Sequence, residues 1–166
     1  MRSATSRITL VAAVLASLLS VTANAVAQEQ SKNASKQEMK QLNKEANKLA
    51  KKAEETAEGI GRNKVFCILA AHTTGVGTGP ELKAKFEALT DFPFGQFVAA
   101  VLLADRIDEP LDGIIAKLVE GMSIGQITKE ADVNMGEVRS GFGRFRSELA
   151  RSMTNPPTTD CFATSP

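Results

Sequence analysis

Residues 94–104 read FGQFVAAVLLA, and the first charged side chain after them is Asp105. A helix that is apolar on nearly every face belongs in the interior of a fold, because none of its faces is well solvated by water. This stretch is too short to cross a bilayer, which needs roughly 20 apolar residues. The run therefore predicts a buried central helix, at about residues 94–106, inside a small all-α helical bundle.

The first 27 residues have the pattern of a secretory signal peptide. Arg2 and Arg7 are followed by a mostly apolar segment at 8–21, and two small-x-small cleavage frames end at Ala25 and Ala27. Either frame could be cleaved. The alternative is an uncleaved membrane anchor, for which the apolar segment is short. We therefore expect an exported protein, periplasmic or extracellular, with no transmembrane span in the mature chain.

Removal of residues 1–27 leaves 18 basic and 19 acidic side chains in one domain of modest size. Residues 28–64 carry nine Lys or Arg against six Glu, and residues 65–166 carry nine against thirteen acids. Neither imbalance calls for a nucleic-acid or membrane partner, so no nucleic acid is expected. We divide the chain into a signal peptide at 1–27, a charged helical arm at 28–60, a helical core domain at 61–154 and a Pro/Thr-rich tail at 155–166.

The arm carries one narrow apolar stripe at steps of three and four residues. Its members are Met39, Leu42, Ala46, Leu49, Ala53 and Ala57. One interpretation is a coiled-coil seam, which would allow self-association through residues 39–57. The other is an arm that folds back on its own body, and it is favoured because half of the stripe is alanine and buries little area.

Cys67 and Cys161 are the only cysteines in the sequence. In an oxidising compartment an isolated pair most simply forms a disulfide, and the export signal favours that reading here. The alternative is two thiols, with Cys67 buried as a small hydrophobic side chain. The bridge would hold the tail against an early helix.

Cap residues divide the rest of the core domain into helices. Asp91 is placed to cap the central helix and Pro93 to occupy its first turn. The spacing of five apolar residues at 111–119 predicts an amphipathic helix that ends at Gly121. Ser123 with Gln126, and Asn134 with Glu137, predict the starts of two more helices. The apolar residues concerned are Leu111, Ile114, Ile115, Leu118 and Val119, and in the last helix Val138, Phe142, Phe145 and Leu149.

Few residues could carry chemistry. Residues 75–80 read GVGTGP before a predicted helix at 81–89, but they lack the ending of a P-loop and the third glycine of a dinucleotide fingerprint. His72, the sole histidine, has no partner at ligand spacing in the sequence, which predicts a structural or exposed role. The acidic turn at 105–112 lacks the residue order of a calcium loop. We expect no catalytic, metal or cofactor site and no enzymatic activity.

The two capped helices after Ser123 have the spacing of a helix-turn-helix. Thr128 stands where this motif usually has alanine, and Asp132 replaces its turn glycine. Four arginines on the last helix would suit a phosphate backbone: Arg139, Arg144, Arg146 and Arg151. A nucleic-acid-binding protein is therefore the alternative. The favoured function is an exported interaction or structural protein with an unknown protein or envelope partner.

One segment resembles a known group of sequences. Phe94-Gly95 heads an alanine-rich helix, LDGII follows at 111–115, and GMSIGQITKE follows at 121–130. This order is similar to small, exported, uncharacterised bacterial proteins, in which the last part tends to read Gly-x-Gly-Trp-Gly-Glu-Ile-Ala-Lys. The similarity covers 94–133. It implies export and a helical fold, and it implies no activity or site residues.

Overall fold

The computed structural model describes residues 35–157, 161 and 162, so the predicted signal peptide lies outside the described residues. All packing described below lies within the unit Glu38–Pro166. The described residues form seven α-helices and no strand. α1 covers 35–60, and it is followed by α2 (Arg62–His72), α3 (Gly79–Glu87), α4 (Phe94–Ile107), α5 (Leu111–Val119), α6 (Ile124–Glu130) and α7 (Met135–Thr154). No helix in these ranges is both long and apolar enough for a bilayer span.

The predicted central helix is α4. Of its 14 residues, 11 are buried, and the helix packs against α2, α5, α6 and α7. Phe97 and Val101 have no exposed surface. An aromatic cluster lies at the start of α4, where the Phe94 ring meets the Phe66 ring edge-on at 5.4 Å. The all-α bundle around a buried helix at about 94–106 is therefore confirmed.

α1 packs on this bundle with its apolar stripe inward. Leu42, Leu49 and Ala53 have no exposed surface, and Ala46 and Ala57 have under a tenth. Glu45 pairs with Arg146 of α7 at the edge of the stripe. The chain's own helices thus cover the positions that a coiled-coil seam would need.

Two polar side chains of α1 cap helices that lie far away in the sequence. Glu54 Oε1 accepts a hydrogen bond of 2.8 Å from the Gly95 N–H in the first turn of α4. Asn43 Oδ1 accepts one of 2.8 Å from the Gly125 N–H in the first turn of α6. The two side chains share one face of α1, because 11 residues make roughly three turns. α1 therefore satisfies N–H groups that those helices leave unpaired.

The predicted cap of α4 is wrong. Pro93 takes the N-cap position with φ −63°, no side chain of its own segment bonds the first turn, and Asp91 lies two residues earlier with φ 54°. The carboxylate that accepts from the first turn is Glu54. Glu54, 41 positions before Gly95, therefore has the capping role that the sequence predicted for Asp91.

α1 and α4 approach each other closely at Gly95. A Cβ atom at this position would lie 2.6 Å and 2.7 Å from the C and Cα atoms of Ala50, and closer still to its carbonyl oxygen. Real Cβ contacts do not reach such distances, and backbone atoms cannot rotate away. Glycine is therefore required at this helix crossing.

The remaining caps follow the sequence, with one exception in the apolar pattern. Ser123 and Gln126 form the predicted capping box, and Asn134 accepts from the first turn of α7. Gly121 has φ 90° just after α5. Val119, predicted to face inward, is 70% exposed. It lies about 80° around the helix from the first residue of the stripe, which places it at the stripe's edge.

Candidate ligand cleft

The Cys67–Cys161 disulfide is present, with the two Cα atoms 5.6 Å apart and a sequence separation of 94. It joins the middle of α2 to the tail, and the Cys161 N–H also approaches Cys67 Sγ at 3.2 Å. A Cβ atom at Gly79 would overlap Cys161 Sγ. The bridge, the tail and the first turn of α3 therefore pack directly against one another.

A cleft of about 880 Å³ opens beside this bridge. It lies between α2, the glycine-rich loop at 73–78, the start of α3 and the end of α7. Its apolar walls include Ile68, Ala70, Ala71, Pro80 and Pro157, and its polar groups include Thr73, Thr78, Glu81, Glu148, Ser152 and Asn155. Concave sites of this size, mostly apolar with a few polar groups, are typical of small-molecule binding sites.

The glycine-rich loop is held in place on one side of the cleft. Gly75 and Gly77 have backbone φ values of 82° and 152°, which residues other than glycine rarely adopt. The Thr74 N–H donates to Asp105 Oδ1 of α4 at 2.7 Å, and the Thr73 N–H donates to the Leu69 carbonyl at 3.1 Å. The loop is thus tied to α2 and to the central helix.

Glu81 stands on the cleft wall as an ionised carboxylate. Thr78 caps α3, and its N–H and hydroxyl both donate to Glu81 Oε2, at 2.7 Å and 2.8 Å. These hydrogen bonds stabilise the charged form and lower the pKa of Glu81. The sequence holds the pattern of this capping box, Thr-x-x-Glu, but the helix was expected to start at Glu81, two residues later than it does.

His72 has a partner that the sequence did not reveal. Its Nδ1 lies 2.9 Å from Glu148 Oε2 on α7, and its ring meets Phe145 edge-on at 5.0 Å. Because the two residues are distant in the chain, spacing rules applied around His72 could not find the pair. A carboxylate on Nδ1 holds the ring in one orientation and leaves Nε2 as the free nitrogen. Glu148 lines the cleft, so His72 contacts one residue of the cleft wall.

The hydroxyl groups of the cleft are already engaged as donors. Thr73 Oγ1 donates to the Leu69 carbonyl at 3.0 Å, and Ser152 Oγ donates to the Glu148 carbonyl at 3.0 Å. A Ser or Thr nucleophile needs a base that accepts its proton. Both acceptors are backbone carbonyls, so neither Thr73 nor Ser152 has a base at its hydroxyl.

The acidic turn at 105–112 is matched by basic side chains. Lys85 contacts both carboxylate oxygens of Asp112 at 2.6 Å and 2.7 Å, and Lys117 donates to Glu109 at 2.9 Å. The hydrogen bond to Glu109 raises the pKa of Lys117. No group of three or more His, Cys, Asp or Glu side chains suited to a metal ion occurs in the described part of the chain.

α6 and α7 form the helix-turn-helix-like pair. Asp132, which stands in place of the turn glycine, adopts φ 54°. Thr128 is buried, and its hydroxyl donates to the Ile124 carbonyl at 2.8 Å. Two of the four arginines face α1, because Arg139 bonds to Gln41 and Arg146 pairs with Glu45.

Comparison with family models, curated proteins and solved structures finds no match for this chain. The fold and the cleft define a class nonetheless: an all-α bundle closed by one disulfide, with a concave site beside the bridge.

Proposed function

We propose that this chain is an exported, non-enzymatic binding protein that holds a small ligand in the cleft beside the Cys67–Cys161 bridge. The observation that carries the proposal is the cleft itself, with a volume of about 880 Å³ and largely apolar walls. The ligand or partner would belong to the cell envelope or its surroundings. Disulfides persist in such oxidising compartments.

Contacts join the elements that surround the cleft, which supports a preformed binding site. The bridge holds the tail, Asp105 holds the loop, and the His72–Glu148 contact joins α2 to α7. A preformed site avoids the entropy cost of ordering loops and side chains during binding.

Binding can be tested with a neutral fluorescent probe such as Nile red. Ala71 is exposed on α2 and lines the cleft, so Ala71→Phe should fill it and abolish probe binding. Ala116 is exposed on α5 and is not part of the cleft wall, so Ala116→Phe is the matched control and should bind normally. Equal binding by both variants, with unchanged circular dichroism, would overturn the proposal.

Export is tested by fractionation and mass spectrometry of the mature chain. Cleavage in the two frames would leave Val26 or Gln28 at the N-terminus. Recovery of the chain in the cytoplasm with residues 1–27 intact would contradict export.

A nucleic-acid-binding helix-turn-helix is the second candidate function. The observation that favours it is the left-handed conformation of Asp132, which is the conformation that a turn glycine adopts readily. Contacts of Arg139 and Arg146 with α1 count against it. Titration with duplex DNA separates the two candidates. Tight binding that weakens steeply with salt, and weakens again in Arg144→Ala, would support the second.

Self-association through residues 39–57 would have to use the polar face of α1, since every residue of its apolar stripe except Met39 is buried. That face carries Lys40, Lys44 and Lys48, and like charges oppose a symmetric contact. Light scattering at several salt concentrations tests this.

Kinship of 94–133 with the exported bacterial proteins is also a proposal, supported by the coincidence of that segment with α4, α5 and α6.

A further inference from the structure

The cleft carries charges of one sign. Among its described lining residues, Glu81 and Glu148 are the acidic side chains, and none is a lysine or an arginine. On the proposed function, we infer that the ligand is a small amphipathic amine, with an apolar body for the cleft walls and an ammonium group for the two carboxylates.

Each carboxylate has one oxygen engaged and one available. Glu81 Oε2 accepts from Thr78, and Glu148 Oε2 faces His72 Nδ1. No hydrogen bond from another described residue occupies Oε1 of either side chain. An ammonium group has three donors and no acceptor, so it can use such oxygens without displacing the existing contacts.

The apolar lining residues of the cleft suit an apolar body. Ile68, Ala70 and Ala71 follow one another along α2, and Pro80 and Pro157 stand on the adjoining elements. These side chains offer no hydrogen bonds, so they favour hydrocarbon over a strongly hydrated ligand. The volume of about 880 Å³ lies in the range of drug-sized ligands.

Among ligands with the same apolar body, the head group should therefore decide the order of affinity. An ammonium group is attracted by both carboxylates. An alcohol gains the apolar contacts alone, and a carboxylate adds a third negative charge to the same cleft. Since both acids are partly exposed, solvent screens the attraction, and the preference for the amine over the alcohol should be about fivefold in Kd.

The test uses three probes with one apolar body: 4-phenylbutylamine, 4-phenylbutanol and 4-phenylbutyrate. Their Kd values would be measured by NMR titration of the full mature protein. We expect the amine to bind most tightly and the carboxylate least. Glu81→Gln together with Glu148→Gln should make the amine and the alcohol equal. Glu120→Gln, on an exposed residue outside the cleft wall, is the matched control and should change nothing.

The outcomes separate the ligand class from the proposed function. If Ala71→Phe abolishes binding of all three probes but the alcohol binds as well as the amine, the ligand class is wrong and the cleft still binds ligands. An amine preference that survives in the double Glu→Gln variant also overturns the ligand class. If neither the three probes nor Nile red responds to Ala71→Phe, the proposed function itself fails.

Discussion

A single methyl group added at Gly95 tests the packing of α1 on α4. In Gly95→Ala the new Cβ atom would lie 2.6 Å from the Ala50 carbonyl carbon, where ordinary contact begins at about 3.4 Å. Neither partner can rotate out of the way, because the Cβ atom is fixed directly to the α4 backbone and the Ala50 carbonyl carbon is part of the α1 backbone. The two helices must therefore separate by close to 1 Å along their whole contact.

The expected loss of stability can be worked from two opposing effects. Overpacking in a well-packed core costs typically 1–3 kcal/mol, and a clash with backbone belongs at the upper end. Alanine is the better helix former by up to about 1 kcal/mol, which offsets part of that cost. A net loss of about 2 kcal/mol should follow, with a fall in Tm of several degrees.

Gly143 supplies the matched control. It lies inside α7, and a Cβ atom there would meet nothing within 4 Å, so Gly143→Ala should stabilise the fold by about 0.8 kcal/mol. Both variants would be unfolded in urea with the disulfide intact and followed by circular dichroism at 222 nm. A Gly95→Ala variant as stable as Gly143→Ala would refute the described crossing of α1 and α4.

Three further predictions concern the core, the bridge and helix α3. Val101→Asp places an unpaired charge at a fully buried position and should remove cooperative unfolding, whereas Val119→Asp, at a residue 70% exposed, should change stability by under about 0.5 kcal/mol in the same urea assay. Reduction of the Cys67–Cys161 bridge should cost about 4 to 5 kcal/mol by the chain-entropy relation, so equal urea midpoints with and without reductant would count against a stabilising bridge. Because the folded protein lowers the pKa of Glu81, its stabilisation is present above the ordinary glutamate pKa and is lost as pH falls through the lowered value. The stability difference between wild type and Glu81→Gln should therefore shrink from neutral to acidic pH, and a constant difference in urea titrations would contradict the role of that carboxylate.

Local patterns predicted local structure well. The apolar run at 94–104 became the buried helix α4, and the cap pairs at Ser123 and Asn134 begin α6 and α7. Each signal involves neighbours within one or two helical turns, so the residues that cause the structure are visible together in the sequence. The cysteine pair is an exception, because only two cysteines exist to be joined.

The site could not be predicted in the same way. Glu54 lies in the charged arm, 41 positions before Gly95, and it accepts a hydrogen bond from the Gly95 N–H. His72 looked isolated, and it meets Glu148 of another helix. These partners are selected by the packing of whole helices, which periodicity does not encode. The cleft arises in the same way, from surfaces of segments that are far apart in the chain.

The two cap contacts of α1 join it to helices that are synthesised later. The Asn43–Gly125 contact spans 82 residues, and the Glu54–Gly95 contact spans 41. A chain that emerges N-terminus first makes α1 before any helix that α1 packs against exists. Contacts between distant residues close large loops and form slowly. α1 is thus the first of these seven helices to be synthesised, and its two cap contacts are complete only after residue 125 has emerged. A chain that stops short of that residue would lack the α6 anchor and leave part of the apolar stripe of α1 in water.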